Sequence, residues 1–117
     1  MKVIVAGSRK FNDYKKLCET LNPLLCRYNL SEVEIVSGGA NGADKLGERY
    51  AKDKGCLLKV YPAEWDVYGK SAGYRRNVQM AEYANSCVVF WDGKSKGTKH
   101  MIDIAEKHKL NLRKVMV

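Results

Sequence analysis

Apolar positions along the chain follow two alternating rhythms. Short runs rich in Val, Ile and Leu have strand length: Lys2–Ala6 (KVIVA), Val33–Ser37 (VEIVS), Leu57–Tyr61 (LLKVY), Ser86–Trp91 (SCVVFW) and Leu112–Val117 (LRKVMV). Between them, apolar residues recur at spacings of three, four and seven, the period of an amphipathic helix. Phe11, Tyr14, Leu17, Cys18, Leu21, Leu24, Leu25 and Tyr28 make one such stripe, with a kink or split expected at Pro23. Ala43–Lys54 makes the next, with Leu46, Tyr50 and Ala51 inward and Gly55 as its stop. Ser71–Tyr83 follows, carrying Val78, Met80 and Ala81, and then Thr98–Lys109, with Met101, Ile102, Ile104 and Ala105 facing in.

Five strands interleaved with four helices predict an α/β fold over residues 1–117: a single doubly wound, Rossmann-like domain with a parallel sheet and helices on both faces. Right-handed crossovers leave few topologies, and the order 3-2-1-4-5 is expected. Strands without clean polar alternation predict burial on both faces. In that order the chain reverses direction beside strand 1, and ligands bind at such a point, outside the carboxyl ends of the strands.

The loops expected at that edge carry the unusual chemistry. They are Gly7-Ser8-Arg9, Ser37–Asp44 (SGGANGAD) and Asp92–Thr98 (DGKSKGT). Seven of the ten glycines, at positions 7, 38, 39, 42, 69, 93 and 97, fall in strand-to-helix connections. A helix start offers free N–H groups and partial positive charge, and glycine lets a phosphate approach them. The same glycines also suit tight turns that bind nothing. Arg9, Lys94 and Lys96 are expected to converge on the crevice. Of Arg75 and Arg76, about 100° apart on a helix, one is expected to face it and the other solvent. Trp65, Tyr68 and Tyr74 crowd the irregular stretch from Ala63 to Gly73, either to stack a base or to clasp the loop down. Ser37-x-Gly39-x-x-Gly42 lacks the first glycine of a dinucleotide fingerprint, and strand 3 ends at Tyr61 without an acidic residue for a ribose. Gly93-Lys94-Ser95 lacks a P-loop's first glycine, since Val88 stands there.

Composition narrows the partners. The 117 residues are 45% hydrophobic and 29% charged, a globular balance for one domain. No apolar run approaches the ~20 residues of a membrane span. MKVIVAG is too short for a signal peptide, so a cytoplasmic protein without membrane association is expected. The net charge of +8 favours anionic partners, although scattered lysines also serve solubility alone. Cys18, Cys26, Cys56 and Cys87 show no metal-ligand spacing and are expected to be buried, reduced thiols. No metal or cofactor is expected.

The motifs Gly7-Ser8-Arg9 with Phe11, Ser37–Asp44, Arg76-Asn77 with Met80, and Phe90–Thr98 resemble the YspA/YpsA-related (YAcAr) branch of the SLOG superfamily. The resemblance covers nearly the whole chain. It implies a Rossmann-like domain binding nucleotides or nucleotide-derived ligands, in a branch whose small members are common in phage genomes. Two related families suggest narrower functions. Arg76 with Met80, and the stretch Asp92–Met101, are similar to the Lonely Guy-type phosphoribohydrolases, which remove the base from nucleoside monophosphates. That family's catalytic glutamate falls here on Met101, and Asp103 sits two residues further along the helix. Gly7–Arg9, Ser37–Asp44 and Arg76-Asn77 also resemble DNA-processing protein A, which implies single-stranded nucleic acid as a partner.

The combined reading is a binder of a phosphate-bearing nucleotide or nucleotide-derived signalling ligand. Its expected contacts are Gly7, Ser8, Arg9, Ser37, Gly38, Gly39, Gly42, Asp44, Arg76, Asn77, Asp92, Gly93, Ser95, Gly97 and Thr98. Ser8, Ser37 and Thr98 would supply neutral hydrogen bonds, while Asp44 and Asn77 would mainly fix the loops, Asp44 by capping its helix from the first turn. In the hydrolase alternative, Arg76 with Asp44 or Asp92 would carry the chemistry. A homodimer is a further expectation, with Tyr14, Tyr28 or Tyr83 at its contact.

Overall fold

The computed structural model describes residues 1–117. In chain order the elements are β1 (Lys2–Gly7), α1 (Tyr14–Leu25), β2 (Glu34–Ser37), α2 (Ala43–Lys54), β3 (Leu57–Val60), α3 (Trp65–Tyr68), α4 (Ala72–Tyr83), β4 (Ser86–Trp91), α5 (Lys96–Lys107) and β5 (Asn111–Met116). Short 3-10 turns lie at Leu30–Glu32 and Gly69–Ser71. The strands form one all-parallel sheet in the order β3-β2-β1-β4-β5. This is the Rossmann-like order the sequence predicts.

Successive residues of a strand point to opposite faces, so the central strands feed two cores. On one face Val3, Val5, Ile35, Val88 and Phe90 pack under Leu17, Leu21 and Leu25 of α1 and Tyr50 and Ala51 of α2. On the other, Ile4, Ala6, Val36, Cys87 and Val89 pack under Met80 and Ala81 of α4 and Met101, Ile102 and Ala105 of α5. Each fully buried aliphatic side chain contributes about 1.5–3 kcal/mol. The sheet's centre is therefore rigid, and it presents the carboxyl ends of β1 and β4 side by side.

Three expectations are corrected. Burial on both faces holds for β1 and β4, but all four residues of edge strand β3 are exposed, with Leu57 at 55% and Leu58 at 43%. Two long helices per face cannot cover five strands. Phe11 does not belong to the first helix: Asp13 caps α1 by accepting from Lys16 N at 3.0 Å, and Tyr14 opens it. Phe11 reaches the core from the preceding loop and stacks on Phe90, ring centroids 4.8 Å apart. α1 continues through Pro23 and ends two residues later, leaving Leu24 and Tyr28 exposed. Among the cysteines only Cys87 is buried; Cys18 and Cys56 are half-buried and Cys26 is exposed. No helix is long and apolar enough to cross a membrane.

Candidate functional site

The sheet order reverses between β1 and β4, and a crevice opens above their carboxyl ends. Its floor is Ala6, Gly7, Met80 and Met101. Its walls come from the β1–α1 loop (Arg9), the β2–α2 loop (Ala40), the first turn of α2 (Asp44), α4 (Gly73, Tyr74, Arg76, Asn77) and the start of α5 (Ser95, Gly97, Thr98). Trp65 and Lys70, from the β3–α4 connection, overhang it. The cavity measures about 190 Å³. A second hollow of about 300 Å³ adjoins it, lined by Gly38, Gly39, Asn41, Pro62 and Ala63, and shares Arg9, Ala40, Trp65 and Arg76 with the first.

Tight joints between loops set this geometry. Ser8 O accepts from Phe11 N and from Ala43 N, both at 3.2 Å, which ties the β1–α1 loop to the start of α2. Gly42 makes that joint possible: its φ is +79°, and any Cβ there would run into the backbone of Ser8 and Arg9. Gly38 has a comparable role toward side chains. A Cβ on it would lie 2.6 Å from Arg76 Nη1 and 2.8 Å from Asp44 Oδ2.

Arg76 is anchored by its own hydrogen bonds. Nη1 donates to Gly38 O at 2.5 Å and Nε to Asn77 Oδ1 at 3.1 Å. Asn77 is held in turn: its Nδ2 donates to Gly97 O at 3.3 Å and lies 3.1 Å from His100 Nδ1. Burial keeps His100 below the usual imidazole value, which favours the neutral ring as acceptor for that amide. The chain's ion pairs are all i,i+3 or i,i+4 pairs on helix surfaces, so neither Arg76 nor exposed Arg9 is neutralised by one. Burial and the nearby Arg9 charge both lower Arg76, while Asp44 opposes them. Asp44 is only 5% exposed, and its carboxyl is pushed up to about 6 by burial, against the pull of Arg76 and of the Ala40 and Gly38 N–H groups. Rather than capping α2, its Oδ2 turns back to accept from Ala40 N at 3.4 Å.

The other expected site residues divide into two groups. Gly7, Arg9, Asp44, Arg76, Asn77, Ser95, Gly97 and Thr98 line the first cavity, and Gly38 and Gly39 line the second. Ser37 is fully buried with its hydroxyl committed, donating to Glu48 Oε2 at 2.7 Å and accepting from Gly39 N at 3.0 Å. Ser8 is buried and its Oγ accepts from Lys10 N. Asp92 folds its own turn by accepting from Lys94 N and Ser95 N, both at 2.8 Å, and these bonds hold it below the usual carboxylate range. That turn leaves Gly93, Lys94 and Lys96 exposed and outside the cavity lining, so neither lysine joins the crevice. Arg76 faces the cavity, whereas Arg75 lies over the Tyr68 ring at 4.3 Å and donates to Ser71 Oγ. Trp65 and Tyr74 stay 51% and 45% exposed, and the Tyr74 ring packs against His100, centroids 4.4 Å apart. Lys70 and His100 are additions that no motif announced. Of the tyrosines considered for a dimer, Tyr14 donates to Asp53 and Tyr83 to Glu34, while Tyr28 is exposed.

Residues 1–68 match the model of the YspA, cpYpsA-related SLOG family (YAcAr). The chain belongs to that family. Another similar chain is the Gene 61 protein of Mycobacterium phage D29, 34% identical over 112 residues, covering 91% of this SLOG chain and 89% of the phage protein. Among solved structures, DNA processing protein A from Streptococcus pneumoniae superposes with a TM-score of 0.76 at 20% identity, over 97% of this chain and 49% of that one. DNA processing protein A from Helicobacter pylori, a structure describing its single-stranded DNA binding mode, gives 0.73 at 21% identity, over 97% and 64%. These likenesses show a shared Rossmann-like fold. The SLOG chain spans about half of the first neighbour and under two thirds of the second.

Proposed function

We propose that this SLOG protein binds a phosphate-bearing nucleotide or nucleotide-derived signalling ligand in the crevice, acting as a sensor or sequestering protein. The observation that carries the reading is the pairing of Arg9 with Arg76. Both guanidinium groups line the crevice, the charge of Arg9 disfavours that of Arg76, and beside Arg76 lies one buried carboxyl, Asp44, with neither arginine in an ion pair. An anion relieves that repulsion and makes charge-assisted hydrogen bonds of the strong kind. The start of α5 adds Thr98, and exposed Trp65 and Tyr74 offer faces for a base. Met101 on the floor supplies no charge to a developing ribose cation, which favours a binder over a phosphoribohydrolase. The phage relative suits sequestration of a signalling molecule.

A thermal-shift comparison of nucleotides with their nucleosides tests this. Ligand at 100 times its Kd adds about 2.7 kcal/mol, or several degrees in Tm for a domain near this size. Nucleotides are expected to raise Tm and nucleosides to leave it unchanged. Equal, null responses at millimolar concentration would refute the reading.

Single-stranded nucleic acid is the second reading, supported by the Helicobacter pylori neighbour and the net charge of +8. It requires affinity that grows with oligonucleotide length and falls steeply with salt.

A further inference from the structure

We propose that the preferred ligand carries its phosphate internally, as a phosphodiester or pyrophosphate joining two halves, one in each hollow. The inference rests on the reading that the crevice binds a phosphate-bearing nucleotide. Arg9 and Arg76 line both hollows and so stand at the waist where the two adjoin. The first hollow, at about 190 Å³, is smaller than the ~300–1,000 Å³ of most small-molecule sites. Only with the adjoining 300 Å³ does the site reach that range. The two hollows also differ in lining. Met80, Met101, Asn77 and Thr98 give the first an apolar floor with a polar rim, while Gly38, Gly39, Ala40 and Ala63 give the second a lining rich in small residues.

The electrostatics of the waist agree with this placement. A terminal phosphate monoester carries about −1.5 to −2 charges at neutral pH, an internal diester only one. Asp44, buried beside Arg76, offsets part of the positive charge of the two arginines, so a diester's single charge balances what is left, whereas a pyrophosphate carries two charges and gains no such match. Arg76 is fixed through Nη1 and Nε, and its Nη2 carries no protein hydrogen bond; that nitrogen lies toward Gly73, on the first hollow's wall. Exposed Trp65 borders both hollows and can cover either half.

Binding of three probes by calorimetry tests the proposal: AMP, adenylyl-(3′→5′)-adenosine and ADP-ribose. At least one two-part probe is expected to bind about tenfold tighter than AMP, and the tighter of them identifies the link as diester or pyrophosphate. Ala63→Phe, on the linker after β3, fills the second hollow without touching the core; it is expected to remove that gain and leave AMP within about twofold. AMP binding as tightly as both two-part probes, or Ala63→Phe weakening AMP equally, would overturn the inference while leaving the proposed function standing. Failure of all three probes to bind would overturn both.

Discussion

Arg76 and Asp44 approach each other across Gly38, and the missing side chain of that glycine is what lets them. Arg76 Nη1 takes the Gly38 carbonyl at 2.5 Å, and a Cβ on Gly38 would overlap both charged groups. A loop glycine thus sets the position of the buried guanidinium, and the sheet edge beneath keeps the loop in place. Gly38→Ala is therefore expected to weaken nucleotide binding about tenfold or more, as Arg76 swings out of register. Arg76→Ala should be at least as damaging. Far-UV circular dichroism should show both variants folded, because neither residue belongs to the apolar core. Unchanged nucleotide affinity in Gly38→Ala would show that Arg76's position does not matter.

Asp44 predicts a pH dependence with a definite sign. Its folded value of about 6 lies above its ordinary 3.8, so the folded state binds the proton more tightly than the unfolded state. Stability from this group is present below about pH 4 and is lost as pH rises through about 6. The full loss is about 3 kcal/mol. Asp44→Asn should flatten the stability profile over that interval, measured by urea unfolding from pH 4 to 7. Affinity should follow the same direction. Protonating Asp44 removes a negative charge beside Arg76, so a diester, whose own charge is constant, should bind more weakly as pH rises from 5.5 to 7.5. The groups facing Asp44 include Arg76 on α4 and Glu48 on its own helix, with Cys87 on β4 beneath; Arg9 reaches it through Arg76. His100, two contacts away through Asn77 and held below the usual imidazole value by burial, is a second titratable group linked to Arg76, and Asp44→Asn separates the two because it leaves His100 intact.

Much of this arrangement is legible in the sequence, and the remainder fails for physical reasons. Alternation of β-branched runs with helical stripes yields the sheet order, because right-handed crossovers leave few alternatives. The glycine loops follow from it, since each sits where a strand hands over to a helix. Burial of edge strands is not legible: Leu57 and Leu58 look like core residues until the number of covering helices is known. Lys94 and Lys96 mislead for a different reason. They neighbour Ser95 and Gly97 in sequence, but the Asp92 turn directs the intervening residues outward. Lys70 escapes notice because α3 and the following 3-10 turn fold a stretch without clear periodicity over the crevice.

Phe11 links the core to the site. It stacks on Phe90 two residues after Arg9, and Phe11 N donates to Ser8 O. Phe11→Ala should cost about 3–5 kcal/mol, the usual range for an aromatic removed from a core. Equilibrium unfolding in urea measures that loss. Phe11→Leu should recover most of the stability yet still weaken nucleotide binding, since the stacked ring orients the loop that carries Arg9.

Met101 decides between binding and hydrolysis. Departure of a base leaves positive charge on the ribose, and a nearby carboxylate must stabilise it. Met101 is 1% exposed on the cavity floor, where it offers only an apolar surface. Asp103 is exposed and ion-paired with Lys99 at 2.6 Å, and Asp92 is held by its own turn, so neither reaches the cavity. Asp44 is the one carboxyl in the lining, and its nearness to Arg76 commits it to balancing that charge. Native protein is expected to bind AMP and release no adenine on a chromatographic assay over hours. Release at an enzyme-like rate of order 1 s⁻¹, abolished by Asp44→Asn, would make Asp44 the catalytic carboxylate and the protein a hydrolase. Met101→Glu places a carboxylate in an apolar floor already closely packed by Met80. Glutamate is no larger than methionine, so the expected loss of stability, about 1–3 kcal/mol, comes from burying a carboxyl without a hydrogen-bond partner. Its carboxyl should titrate well above the ordinary range, because burial disfavours the charged form.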